Sequence, residues 1–133
     1  MSEEKKQTSK ANLLIVDDDD SVRVLLKEML SVQEYNIQEA MDGSQAWDKI
    51  EKFPVNLVIT DLVMPNTNGI DLIMRLRKTY PDVAILAISG GGGVSGRYDY
   101  LPVAKLLGVG DILQKPFSAN DLRGKVSEIL EGT

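Results

Sequence analysis

Asp17 and Asp18 end the aliphatic run "NLLIV" and open a stretch of consecutive aspartates that continues to Asp20. Further along, "VNLVIT" runs into Asp61, "VAILAIS" ends on Ser89, and "DILQ" is followed by Lys115 and Pro116. These residue types suit one chemistry. Crowded carboxylates repel, by roughly 1 kcal/mol for a pair about 4 Å apart in water and several times more near protein. A hard divalent cation relieves that repulsion, and Mg²⁺ binds through one or two carboxylates while keeping waters and room for phosphate oxygens. A lysine ammonium is a point charge suited to such oxygens. A serine hydroxyl can donate to them, and a carboxylate can accept a phosphoryl group as an aspartyl-phosphate. Metal-assisted phosphoryl transfer onto one aspartate is the reaction these parts fit.

Composition removes the competing chemistries. The chain of 133 residues has no His and no Cys, so Ser-His-Asp and Cys-His mechanisms and thiolate or imidazole metal sites are closed to it. Its net charge of −5 argues against a nucleic-acid surface, which needs clustered Lys and Arg. No apolar stretch approaches the roughly 18 residues of a membrane span, and no signal-peptide pattern opens the chain, so a cytoplasmic protein is expected.

Five strands alternate with helices to position these residues. "NLLIV" (Asn12 to Val16) is strand 1, "YNIQEA" strand 2, "VNLVIT" (Val55 to Thr60) strand 3, "VAILAIS" (Val83 to Ser89) strand 4 and "DILQ" strand 5. Val22, Leu25, Leu26, Met29 and Leu30 fall at helical spacing after a cap at Asp19 and Asp20. Further helices run from the Asp42–Gly43 turn to about Phe53, from around Ile70 to a stop before Pro81, from around Tyr98 to Leu107, and through Leu122, Val126, Ile129 and Leu130. Such alternation means an α/β fold, a parallel sheet covered on both faces, with the most aliphatic strands 1, 3 and 4 central. Its functional crevice lies beyond the carboxyl ends of the strands. Asp17, Asp18, Asp61, Ser89 and Lys115 therefore converge on one edge. Residues 1–10, "MSEEKKQTSK", read as a solvated, disordered tail before a single domain over 11–133.

"IVDDDDSVR", "VITDLVMPNTNG", "ILAISG" and "QKPF", in this order and spacing, resemble the receiver domain of two-component response regulators over about Asn12 to Leu130. The resemblance implies a flavodoxin-like (βα)5 three-layer sandwich with strand order 2-1-3-4-5. It implies that Asp61 is the phosphoacceptor, taking a phosphoryl group from a histidine kinase or histidine phosphotransfer protein. Asp17 and Asp18 would position Mg²⁺, Asp18 directly and Asp17 mainly through water, with the backbone carbonyl of Val63 as a further ligand. Ser89 would be the switch hydroxyl and Lys115 the phosphate contact, with a cis Lys115–Pro116 bond. Such a domain is not an enzyme beyond its own phosphorylation and dephosphorylation. With the chain ending at Thr133, output is expected through a downstream protein target, with no nucleic acid and no membrane involved.

Each motif also has a plainer reading. Asp19 and Asp20 suit the positive N-terminus of the first helix. A Ca²⁺ loop would need Gly where Val22 stands. Gly90 to Gly93 lack the Lys-Ser/Thr of a P-loop and read as a hinge, and Trp47, Tyr98 and Tyr100 read as packing residues. The chain departs from the family pattern in a longer glycine-rich loop, in Ile112 where an aromatic is common, and in Val63 and Gly91, whose side chains cannot orient a water. The glycine loop is therefore expected to amplify the switch. Two rivals stand beside the receiver reading. A Mg²⁺-dependent phosphohydrolase would need a second Asp at Val63, and a phosphorylation-independent docking module would not need the acidic set.

Overall fold

The computed structural model describes residues 10–62, 69–89, 101–109 and 111–132. Expectations for the tail ahead of Lys10, for Val63, for the glycine run with Gly91, and for Tyr98 and Tyr100 lie outside the described residues. Strands β1 (Asn12–Val16), β2 (Asn36–Ala40), β3 (Leu57–Asp61), β4 (Ala84–Ser89) and β5 (Asp111–Gln114) alternate with helices α1 (Asp20–Leu30), α2 (Gly43–Lys52), α3 (Gly69–Thr79), α4 (Leu101–Leu106) and α5 (Ala119–Glu131). All strand pairs are parallel, in the order β2-β1-β3-β4-β5. The expected flavodoxin-like order is the observed one.

Continuous aliphatic runs make the inner strands because both faces of a parallel sheet are covered. Successive side chains point to opposite faces. Leu13, Ile15, Leu57, Ile59, Leu86 and Ile88 accordingly pack with Leu26 and Leu30 of α1 and Leu122, Val126 and Ile129 of α5. Leu14, Val16, Val58, Ile85 and Ala87 pack with Ala46 and Ile50 of α2, Leu72, Ile73 and Leu76 of α3 and Ala104 of α4. Each fully buried aliphatic side chain contributes roughly 1.5–3 kcal/mol. Trp47 packs on the second of these cores, as expected of a packing residue. Its ring also lies 4.0 Å below the Arg75 guanidinium.

The helix starts are set by local side chains. Asp19 caps α1 by accepting from the Ser21 N–H at 2.8 Å, and Asp42 caps α2 by accepting from the Gln45 N–H at 2.8 Å. Asp20 is not a cap: it lies inside the first turn and pairs with Arg23. Three strands start later than their sequence patterns suggest. β2 begins at Asn36, β4 at Ala84, and β3 at Leu57 rather than Val55. Asn56, just before β3, is tied to the start of β1 twice: its side-chain oxygen accepts from the Asn12 N–H at 2.8 Å, and its own N–H donates to the Asn12 carbonyl at 2.8 Å. Leu25, placed by spacing on the core stripe of α1, is half exposed beside Val24. That stripe is narrower than the aliphatic pattern, and only Leu26 and Leu30 of the helix are buried.

α5 carries a full capping box. The Ser118 hydroxyl accepts from the Asp121 N–H at 3.0 Å, and the Asp121 carboxylate accepts from the Ser118 N–H at 3.1 Å. Ser118→Ala should lower the stability of the fold by about 1 kcal/mol, read as a lower urea midpoint with an unchanged slope.

Candidate functional site

The topology brings the strand ends to one edge and keeps them level. Val16 pairs with Thr60, Asp61 with Ile88, and Ser89 with Gln114. Backbone bonds extend the ladder past each terminus. The Asp17 N–H donates to the Ala40 carbonyl at 3.1 Å, Leu62 N–H to Ile88 at 3.1 Å, and Lys115 N–H to Ser89 at 2.9 Å. Strand alternation then sorts the side chains. Asp17, Asp61 and Lys115 continue the rows of Leu13, Ile59 and Leu113, which belong to the α1/α5 core. Ser89 continues the row of Ile85 and Ala87, on the other face.

Asp17 is nearly inaccessible, 2% exposed, whereas Asp18 beside it is exposed. One carboxylate oxygen of Asp17 accepts from the Asp19 N–H at 2.9 Å. The other, Oδ2, is buried without a hydrogen-bond partner. Burial, helped by the charge of Asp61, raises the Asp17 pKa to about 6, against the Asp19 hydrogen bond and Lys115, which pull it down. Asp61 lies at the end of β3 with its side chain 13% exposed, and its Oδ2 stands 3.8 Å from the Lys115 ammonium. Lys115 thus reaches past the end of β4 to β3. Ser89 is buried at that intervening strand end. The Lys115–Pro116 bond is cis, as the resemblance implied.

Asp17, Asp61, Lys115 and Ser89 share the edge, while among the described residues no group of three acidic side chains forms a ready-made metal cluster. The orphaned Asp17 Oδ2 next to a second carboxylate fits a hard cation that keeps waters and takes few protein ligands.

Gly69, the last residue of "VITDLVMPNTNG", has a steric role in the structure. A Cβ there would stand 2.1 Å from the carbonyl oxygen of Asp61 and 3.0 Å from Leu62 Cα. The same carbonyl accepts from the Thr60 hydroxyl at 3.0 Å, and the Gly69 N–H donates to Leu62 at 3.2 Å. Only a residue without a side chain lets α3 begin against the backbone of the site.

Comparison with known proteins bears on the family and the fold. The family model described as response regulator receiver domain matches residues 13–127. The response regulator MprA of Mycolicibacterium vanbaalenii is 34% identical over 121 residues, covering 91% of this chain and 51% of that protein. The transcriptional regulatory protein CpxR of Escherichia coli is 34% identical over 118 residues, covering 89% of this chain and 48% of that protein. The chain spans about half the length of these curated relatives. Among solved structures, a CheY-like receiver domain protein from Methanospirillum hungatei superposes with a TM-score of 0.82 at 26% identity, over 93% of this chain and 96% of that one. The chemotaxis response regulator CheY4 of Vibrio cholerae gives 0.80 at 25% identity, over 91% and 99%.

Two outcomes follow from the geometry. Because the folded-state pKa of Asp17 is raised from 3.8 to about 6, the folded protein holds the extra proton between those values. Stability is then lost as pH rises from about 4 to about 6 and stays at the lower level above. The loss is about 3 kcal/mol. Asp17→Asn should remove this step, so urea titrations in chelator across that pH range should show the variant gaining on the native protein as pH rises. Gly69→Ala should cost about 1–3 kcal/mol by overpacking. It should also shift the backbone amide resonances of Asp61 and Leu62.

Proposed function

The chain belongs to the response regulator receiver domain family, and from that premise we propose that it is a phosphorylation switch whose acceptor is Asp61. The receiver unit is taken as residues 11–133 and the setting as a cytoplasmic two-component or phosphorelay step. The phosphoryl donor is a phosphohistidine on a histidine kinase or phosphotransfer protein, and the phosphorylated form is read by a downstream protein. The observation that carries this reading is the Asp61–Lys115 pair, 3.8 Å apart, set beside a buried Asp17 whose second oxygen lacks a partner.

Transfer requires the Asp61 carboxylate to form a P–O bond as the donor's P–N bond breaks. There is little other covalent work for the protein, so its contribution is position and charge. The Lys115 ammonium, already on Asp61, can turn to an oxygen of the incoming phosphoryl group. The Ser89 hydroxyl, at the neighbouring strand end, can donate to another oxygen. Asp17 and Asp18, with Asp61 and the Val63 carbonyl, would hold Mg²⁺. Bound there, Mg²⁺ would supply positive charge for the negative charge that spreads over the transferring oxygens. Asp17 relieves its own buried charge in the same arrangement. No reaction on an external substrate is included, in keeping with a family that is typically a signalling module. Ile112 packs on the α2/α3/α4 core, and a switch of this kind proceeds here without an aromatic at that position.

Incubation with acetyl phosphate and Mg²⁺ should add one phosphoryl group, read by intact mass. Asp61→Asn should abolish it. Lys115→Ala should slow it by roughly 100-fold or more, the scale of losing one preorganised charge at the transition state. Continuous release of phosphate from generic phosphoesters would instead mark a phosphohydrolase, and no mass gain at all would leave a docking module.

A further inference from the structure

Arg23 lies in the first turns of α1, yet its side chain is only 13% exposed. Its guanidinium serves three elements at once. One terminal nitrogen donates to the backbone carbonyl of Asp17 at 2.6 Å, and Nε donates to Glu39 on β2 at 3.0 Å. The other terminal nitrogen pairs with Asp20 in the same turn. Glu39 is itself held by the Lys27 ammonium at 2.6 Å. That contact first, and Arg23 after it, keep the Glu39 carboxyl below its ordinary pKa although burial pushes the other way.

The peptide of Asp17 is therefore gripped from both sides. Its N–H is tied to the carbonyl of Ala40, the residue after Glu39, and its carbonyl to Arg23. The guanidinium meets Asp17 at its backbone carbonyl, whereas the Asp17 carboxylate meets the Asp19 N–H. Arg23 thus holds Asp17 through its backbone, and so sets the orientation of the side chain. With the peptide fixed, one Asp17 oxygen meets the Asp19 N–H and the other is left partnerless in the site. A planar fork with several donors in fixed geometry can do this, and a lysine, with one flexible ammonium, cannot.

We infer that Arg23, anchored by Glu39, is a positioning residue that orients Asp17 for cation binding and so for phosphorylation of Asp61. This rests on the phosphoacceptor reading above. Residues that orient metal ligands commonly account for about 10–100-fold in metal affinity.

The test compares the native protein with Arg23→Met, Arg23→Lys and Glu39→Gln by Mg²⁺ calorimetry, phosphorylation from acetyl phosphate, and amide exchange in chelator. Arg23→Met should weaken Mg²⁺ binding roughly ten-fold, with most of the phosphorylation rate returning at saturating Mg²⁺. Arg23→Lys should recover little of the affinity. The Asp19 amide, bonded to Asp17, should exchange faster in both variants even without metal. Should Arg23→Met fail to fold, Glu39→Gln, which keeps the shape of the anchor and removes its charge, should show the same changes to a smaller degree. A lower urea midpoint with unchanged Mg²⁺ affinity and unchanged Asp19 exchange would overturn the inference, as would full rescue by lysine. A native protein that takes up neither Mg²⁺ nor phosphate would defeat the phosphoacceptor reading instead, and Asp19 exchange would still decide the role of Arg23.

Discussion

The structure depends on a carboxylate kept where water cannot reach it. Asp17 ends the first strand nearly inaccessible, with one oxygen satisfied by a backbone N–H and the other by nothing. Taking an ionised carboxylate out of water is costly unless other charges or hydrogen bonds offset the loss. Lys115 lowers that cost, but its charge is shared with Asp61, and the Arg23 guanidinium is taken up by the Asp17 backbone carbonyl, Glu39 and Asp20. The deficit is tolerated because the strands below the edge carry continuous aliphatic runs packed on both faces. Stability is generated in the layers, and the unfavourable charge is confined to the rim.

Confinement to the rim follows from the parallel sheet. Residues within β1, β3 and β4 face apolar layers on either side, so polar groups that must meet a ligand are restricted to the strand ends. Alternation assigns Asp17, Asp61 and Lys115 to the α1/α5 side and Ser89 to the other. A group added to Asp61 would then meet residues belonging to both helical layers. It would also disturb the Lys115 contact, and Lys115 is joined through its own N–H to the carbonyl of Ser89. On the proposed reading, a charge change on β3 thus has a bonded route to β4 and β5. Such a route makes coupling physically available, and its strength is a matter for measurement.

Much of this was legible in the sequence because the signals were strong and local. Continuous runs such as "NLLIV" and "AILAIS" can be little else than inner strands of a covered sheet. Once the strands are placed, the residues following them must share an edge. What escaped depended on contacts remote in sequence or on space. Arg23 and Glu39 meet although 16 positions apart, and only the β1–β2 register with the pitch of α1 brings them together. Nothing local marks Gly69, since the carbonyl it must clear belongs to Asp61 on another element. Leu25 shows the converse: an aliphatic residue at a plausible core spacing that α1 turns outward.

The adjacent aspartates show most clearly where pattern gives way to environment. As letters, Asp17 and Asp18 are equivalent, and the family resemblance separates them only by role. In the fold one is buried and held by its peptide, and the other is exposed. The desolvation of Asp17 is already part of the folded state, so on the proposed reading its carboxylate would need little further reorganisation to meet a cation. Asp18 is exposed, and on the same reading it would give up part of its hydration and rotamer freedom on meeting the ion. A buried acid beside an exposed one would then let the site keep a standing negative potential while its inner contacts adjust to waters and phosphate oxygens. That division of labour comes from the single step in burial between neighbouring residues, where β1 ends and the chain leaves the shelter of its two helical layers.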